Sequence, residues 1–254
     1  MRKILIIGIG AGHPEQITIQ AINALNRTDV LFITDKGADK DDLARFRREI
    51  VGRYAPNRQL RTVQIPDPER DRHPTDYHAT VGTWHDERAA RYETLFAAQL
   101  HANECGAFLV WGDPSLYDST IRIVEQIAAR GTVELEYEVI PGITCIQALT
   151  ARHRIALNRI GAPVQITTGR RLAAHPPTVD TVVMLDGECA FNTVTDDEVE
   201  IYWGAYLGTP DEILLSGKLR DTAATIEQTR AAARQRKGWI MDTYLLRKPA
   251  APRR

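Results

Sequence analysis

Residues 1–35 constrain the fold more than any other part of this chain. The run "ILII" (Ile4–Ile7) is uninterrupted and apolar, which suits a strand covered on both faces, as in a parallel sheet. A glycine turn follows, with Gly8, Gly10 and Gly12 at alternate positions. Thr18 then stands where a helix N-cap belongs, ahead of an inward face of Ile19, Ile22 and Leu25. A second apolar run, "DVLFIT", ends at Asp35. Strand, turn, helix, strand is a βαβ unit, and such a unit takes a right-handed crossover. The chain is therefore expected to be an α/β protein.

Residues 40–55 have helical periodicity through Leu43, Phe46, Ile50 and Tyr54, and "LRTVQI" reads as a strand. From residue 66 to 83 the pattern fails: three prolines and dense charge, without apolar period, predict a long irregular loop. A helix is expected from Trp84, with Tyr92, Leu95 and Phe96 along it, leading into a strand that stops at Trp111. After "YEVIPGITCIQALTARH", again strand, turn and helix, apolar runs come in quick succession: "VQITT", "TVVML", "EIYWGAYL", "DEILLSG" and "WIMDTYLL". One clear helix, 221–236, interrupts them. Short links such as "GTPDE" imply hairpins, so the second sheet is expected to be mixed or largely antiparallel. The boundary is placed near residue 118, giving a parallel-sheet domain over 1–118 and a mixed-sheet domain over 119–254.

A formal net charge of −1 argues against broad nucleic-acid binding, which needs a basic excess. The three cysteines, Cys105, Cys145 and Cys189, contain no Cys-x-x-Cys, so neither a disulfide framework nor a structural zinc site is indicated. No apolar run approaches the length of a membrane span, and the first one is too short for a signal segment, so a cytoplasmic protein is expected.

Three strand ends carry special turns: "GIGAGHPE", "WGDPSLY" and "IPGITC". Ligands of α/β sheets bind at the carboxyl ends of strands, so the three are candidates for one site. Why the middle turn uses an acid and a proline, with Ser115 and Tyr117 directly after, is the sharpest local question. The glycines at 8, 10 and 12 miss the G-x-G-x-x-G spacing, and Pro14 falls where a phosphate-binding helix would start. A nicotinamide-linked reductase is thus the weaker alternative.

The ordered set "GIGAGHPEQITIQAINALNRTDVLFITD", "WGDPSLYDS", "VIPGITCIQALTARHRIALN", "TVVML" and "YLGTPDEILLSGKL" resembles the tetrapyrrole (precorrin) methylase family. The resemblance implies two α/β domains, S-adenosylmethionine as methyl donor, a small-molecule tetrapyrrole as substrate and a homodimer. It places donor contacts at Pro14, Trp111, Gly112, Asp113, Leu116, Thr144, Cys145, Met184 and Gly208. His13, Ala11 and Cys145 depart from the commoner residues at their positions. The central "QIPDPERDR" and the later "MLDGECAF" are most similar to the deacetylating branch of the family. Members of that branch methylate precorrin-5 at C1 and release acetate. Methylases of another precorrin, or of another target in the same fold, remain the nearer alternative.

Such chemistry wants a base for water and donors for an alkoxide. Asp35, at the carboxyl end of the second strand, is the candidate base, with Thr167 and Thr168 as candidate donors and Asp113 as an organiser of its turn. Arg70, Arg72, Tyr77, Trp84, His85 and Arg88 are candidates to grip carboxylates and stack on a macrocycle, and Arg170 with Arg171 form a second pair. His73, His78 and His85 among Asp71, Asp76 and Asp86 fit no metal-ligand spacing, so no metal is expected.

Overall fold

Successive residues of a strand face opposite ways, so an apolar run with no alternation needs helices on both sides. The computed structural model meets that need. It describes residues 1–35, 41–56, 59–66 and 77–248, and of 35, 41–42 and 77–81 the backbone alone. The chain forms two units, Met1–Gly10 with Pro14–Thr144, and Ala11–His13 with Cys145–Arg254.

The first unit holds strands β1 (Arg2–Gly8), β2 (Val30–Asp35), β3 (Arg61–Pro66), β4 (Cys105–Val110) and β5 (Leu135–Ile140). They form one sheet in the order β3-β2-β4-β1-β5, with every neighbouring pair parallel. Its helices are α1 (Ile19–Leu25), α2 (Asp41–Tyr54), α3 (Tyr77–Gln99) and α4 (Thr120–Arg130). Ile4, Ile6, Phe32 and Phe108 pack with Tyr92 and Phe96 of α3 and Ile123 and Ile127 of α4. Leu5, Ile7, Leu31 and Leu109 pack on the other face, with Ala21 and Leu25 of α1 and Phe46 and Ile50 of α2.

Four local expectations change. Thr18 does cap α1, its hydroxyl accepting from Ala21 N at 3.0 Å, but Ile19 points outward and is 77% exposed. The buried stripe is Ala21, Ala24 and Leu25; at 100° per residue Ile19 lies opposite Ala21. α3 starts at Tyr77 rather than Trp84, so 77–83 are helical and not loop, while 67–76 lie outside the described residues. α4 has no counterpart in the sequence reading. Finally, the first unit does not end near residue 118: β5 pairs with β1 from Arg2↔Leu135 to Ile7↔Ile140, which carries it to Thr144.

The second unit holds β6 (Val164–Thr168), β7 (Asp180–Met184), β8 (Glu200–Ala205), β9 (Ile213–Lys218) and β10 (Asp242–Arg247), with helices α5 (Cys145–His153), α6 (Gly169–Ala174) and α7 (Leu219–Lys237). The sheet order is β6-β7-β10-β8-β9, parallel only between β6 and β7, so it is mixed as expected. Trp203, Phe191, Tyr206, Tyr244 and Ile226 centre its core. Within it, Asp242 Oδ2 accepts from Arg230 Nε at 3.0 Å and Trp203 Nε1 at 2.9 Å. Asp186 accepts from Ala190 N at 2.7 Å and from the Tyr244 hydroxyl at 2.6 Å, which shapes the loop after β7.

Candidate active site

In an α/β sheet a crevice opens where neighbouring strands send the chain to opposite faces. β4 leads to α4 on one face, while β1 and β2 on either side of it lead to α1 and α2 on the other. The two resulting crevices differ. On the β1 side Gly10 and Gly112 form an antiparallel bridge, Gly112 N donating to Gly10 O at 2.8 Å. On the β2 side the ladder stops at Phe32↔Phe108, although β2 keeps its register with β3 as far as Asp35↔Pro66. The Leu109 carbonyl, left without a partner strand there, accepts from Arg47 Nε at 2.9 Å, and Arg47 Nη1 donates to Leu43 O at 3.3 Å. Burial pushes the Arg47 guanidinium below its ordinary value, and nearby Asp118 partly restores it.

The three turns singled out in the sequence meet at this edge. A Cβ on Gly142 would come 2.1 Å from Gly112 O, and one on Gly8 2.6 Å from Gly142 N. Only glycine permits that approach. Asp113 ties the turns together, its Oδ2 accepting from Gly142 N at 2.8 Å and its Oδ1 from Ser115 N at 2.8 Å and from the Ser115 hydroxyl. Burial alone would raise the Asp113 carboxyl; the hydrogen bonds from Ser115 and Gly142 outweigh it and hold the group below its usual value. The acid therefore organises the turn as an anion. Gly112 has φ +70°, a conformation that side chains resist. Trp111 packs on Phe46 at 4.8 Å between ring centroids, Leu116 N donates to Asp113 O at 3.2 Å, and Thr144 stands against Gly112. Pro14 opens a single 3₁₀ turn and its carbonyl accepts from the Tyr54 hydroxyl at 3.1 Å.

These turns differ from a dinucleotide site in two respects. α1 begins only at Ile19, so β1 does not run straight into a helix N-terminus. Residues 8–14, 111–117 and 140–144 contain no Lys or Arg and one carboxylate, Asp113. Such an edge disfavours a polyphosphate and suits a neutral or cationic ligand held by backbone groups.

In the second unit, Cys145 opens α5 with its thiol 3.8 Å from the Thr243 hydroxyl, and Thr243 is in register with Met184. Burial raises the Cys145 thiol more than the Thr243 contact lowers it, so it stays protonated. Gly208 has φ +76° and its N–H donates to Glu212 Oε2 at 2.9 Å. Thr167 is buried and Thr168 half-buried, whereas Arg170 and Arg171 are exposed on α6.

Comparison with known proteins agrees with this architecture. The family model for Tetrapyrrole (Corrin/Porphyrin) Methylases matches residues 3–223. The chain belongs to the tetrapyrrole methylases. A protein from Sinorhizobium sp. named precorrin-6A synthase (deacetylating) is 58% identical over 252 residues, spanning 98% of this chain and 97% of that one. A crystal structure of a cobalamin synthesis related protein (CobF) from Corynebacterium diphtheriae superimposes with a TM-score of 0.84 at 40% identity, over 98% of this chain and 99% of that one. A uroporphyrin-III C-methyltransferase from Thermus thermophilus, solved with S-adenosylhomocysteine, shares the fold at TM-score 0.57 and 16% identity, over 96% of this chain and 97% of that one.

For a tetrapyrrole methylase, the expected substrate residues are distributed unevenly. Arg88 is a correction: it is buried, donates through Nη1 to Ser119 Oγ at 2.9 Å and through Nη2 to the Tyr92 hydroxyl at 2.8 Å, and lies over the Trp84 ring at 4.4 Å. It braces α3 against the start of α4 and does not reach outward. Trp84 and His85 are half-buried neighbours, 5.4 Å between ring centroids. Tyr77 lies in the first turn of α3, and Arg70 and Arg72 fall outside the described residues. Asp35 ends β2 beside the open crevice. Among the described residues no group of His, Cys, Asp and Glu could hold a metal, and no helix is long and apolar enough to cross a membrane. The sequence reading missed Arg47, whose signal was a charge between Phe46 and Ile50 on the apolar stripe of α2.

Proposed function

We propose that this methylase acts on precorrin-5, placing a methyl group on C1 and releasing the acetyl group there as acetate, to give precorrin-6A in cobalamin biosynthesis. The observation that carries the reading is 58% identity along nearly the whole chain to a precorrin-6A synthase (deacetylating). S-adenosylmethionine supplies an electrophilic methyl group on a positively charged sulfur. The glycine turns and their lack of Lys and Arg support a donor of that kind, as does the S-adenosylhomocysteine in the Thermus thermophilus relative. Pro14, Trp111, Gly112, Asp113, Leu116 and Thr144 would hold it through backbone groups and close apolar contact, and the family resemblance adds Cys145, Met184 and Gly208 as donor contacts. Asp35 is the base for the water that attacks the acetyl group, and exposed Arg170 and Arg171 take substrate carboxylates. Orientation is the main task of these residues, because the donor and the conjugated ring carry the reactive electrons. A cytoplasmic homodimer is the working form that the family resemblance implies.

Calorimetric titration with S-adenosylhomocysteine, with NADH and NADPH in parallel cells, tests the donor site. Micromolar binding of the first and none of the others is expected. Turnover of precorrin-5 should then yield acetate and methylated product in equal amounts. Methylated product that retains the acetyl group would remove the deacetylating assignment.

A further inference from the structure

Tyr117 was prominent in the sequence, directly after the Gly-Asp-Pro turn, and no part of the donor site uses it. Its backbone has φ +53°, the left-handed region that a bulky side chain rarely enters. Tyr206 in the second unit has the same conformation, φ +50°, but there the surroundings offset it. The Tyr206 ring is 1% exposed and its hydroxyl donates to Trp239 O at 2.6 Å. Tyr117 has neither compensation. It is 45% exposed, and its hydroxyl makes no hydrogen bond among the described residues.

The strain is maintained by the turn on both sides. Asp113 accepts from Ser115 and Gly142 before it, Leu116 N donates to Asp113 O, and Asp118 Oδ1 accepts from Thr120 N at 2.7 Å after it. A residue held against its conformational preference, with no partner for its polar end among the described residues, at the carboxyl edge of a sheet, marks a functional position. Burial also pushes the Tyr117 hydroxyl above its ordinary value, so it remains a proton-bearing donor through the physiological range.

Resting on the deacetylating function proposed above, we infer that Tyr117 is a catalytic residue whose hydroxyl donates a hydrogen bond to the acetyl oxygen of the substrate. The water oxygen bonds to the acetyl carbon, its proton passes to the base at Asp35, and the carbonyl π pair moves onto oxygen. That alkoxide accepts the Tyr117 hydrogen bond. The bond between the acetyl carbon and C1 then breaks with its electron pair going to C1, and the alkoxide pair re-forms the carbonyl as acetic acid departs. The pair on C1 is what methylation consumes. The hydrogen bond strengthens as charge grows on the oxygen, so it accelerates the step more than it aids binding.

The test compares wild type, Tyr117→Phe and Tyr117→Gly in acetate release from precorrin-5 at saturating S-adenosylmethionine. Tyr117→Phe keeps the ring and the strained backbone and loses only the donor. A fall in kcat of about a hundredfold, with KM and S-adenosylhomocysteine affinity within about twofold of wild type, is expected. Tyr117→Gly should lose the same activity while its Tm rises, since the backbone strain is relieved. An unchanged kcat in Tyr117→Phe, or a rise in KM alone, overturns the role. A wild-type enzyme that methylates precorrin-5 without releasing acetate overturns the deacetylating function, and this role with it.

Discussion

At the scale of single residues, the site depends on atoms that are missing. Gly142 lies where the turns after β1, β4 and β5 converge, and a Cβ there would meet Gly112 O at 2.1 Å, which no rotamer can relieve. Gly142→Ala should therefore cost about 1–3 kcal/mol in urea unfolding and weaken S-adenosylhomocysteine binding more than tenfold. Gly52→Ala on the open face of α2, where nothing lies within 4 Å, is the control and should be neutral or stabilising. Asp113 makes the complementary case. Its folded-state value is depressed, so its stabilisation is complete above the unfolded carboxylate value of about 3.9 and disappears as pH falls through the folded value. The Tm of Asp113→Asn should lie below wild type at neutral pH, and the gap should close on acidification below about pH 4. A gap that is constant with pH would mean the carboxylate charge is not what holds the turn.

At the scale of elements, legibility followed the kind of signal each segment carries. β1 and β2 were readable because a run of four consecutive apolar residues in each admits few other structures. The hairpin of β8 and β9 was readable from its short polar link. α4 was not, although its buried positions, Thr120, Ile123, Val124 and Ile127, have helical spacing. All four are β-branched, so local propensity pointed elsewhere and packing against β1 and β4 prevailed. The turns of the site were legible as glycines, whereas the split between β2 and β4 was not, because register is set by pairing and not by composition. Arg47 is the one sequence trace of that split. Arg47→Met keeps the apolar stem and leaves the Leu109 carbonyl buried without a donor, which should cost about 1–3 kcal/mol in urea. Arg47→Lys should recover part of that loss. If Arg47→Met unfolds at the wild-type midpoint, Leu109 has found another partner and the crevice is not propped by this side chain.

At the scale of the molecule, near-neutral charge and the composition of the turns predict how ligands alter stability. The chain carries 32 Lys and Arg against 33 Asp and Glu, so no general field draws in anions. The sheet edge that would hold a ligand has no Lys or Arg in its three turns either. A ligand that binds only the folded state stabilises by mass action, by about 2.7 kcal/mol at a hundredfold excess over Kd. For a protein of this size that corresponds to a Tm increase of about 5–10 °C. S-adenosylhomocysteine should produce such a shift, and NADPH at the same concentration should produce none. Salt separates the physical causes: backbone hydrogen bonds and apolar contact are little screened, whereas exposed phosphate–cation contacts weaken sharply as salt rises from about 0.1 to 1 M. The S-adenosylhomocysteine shift should therefore survive 1 M salt almost unchanged. A shift that disappears in salt, or one produced equally by NADPH, would place the affinity in charges the three turns do not contain, and the donor site would then have to be sought elsewhere in the chain.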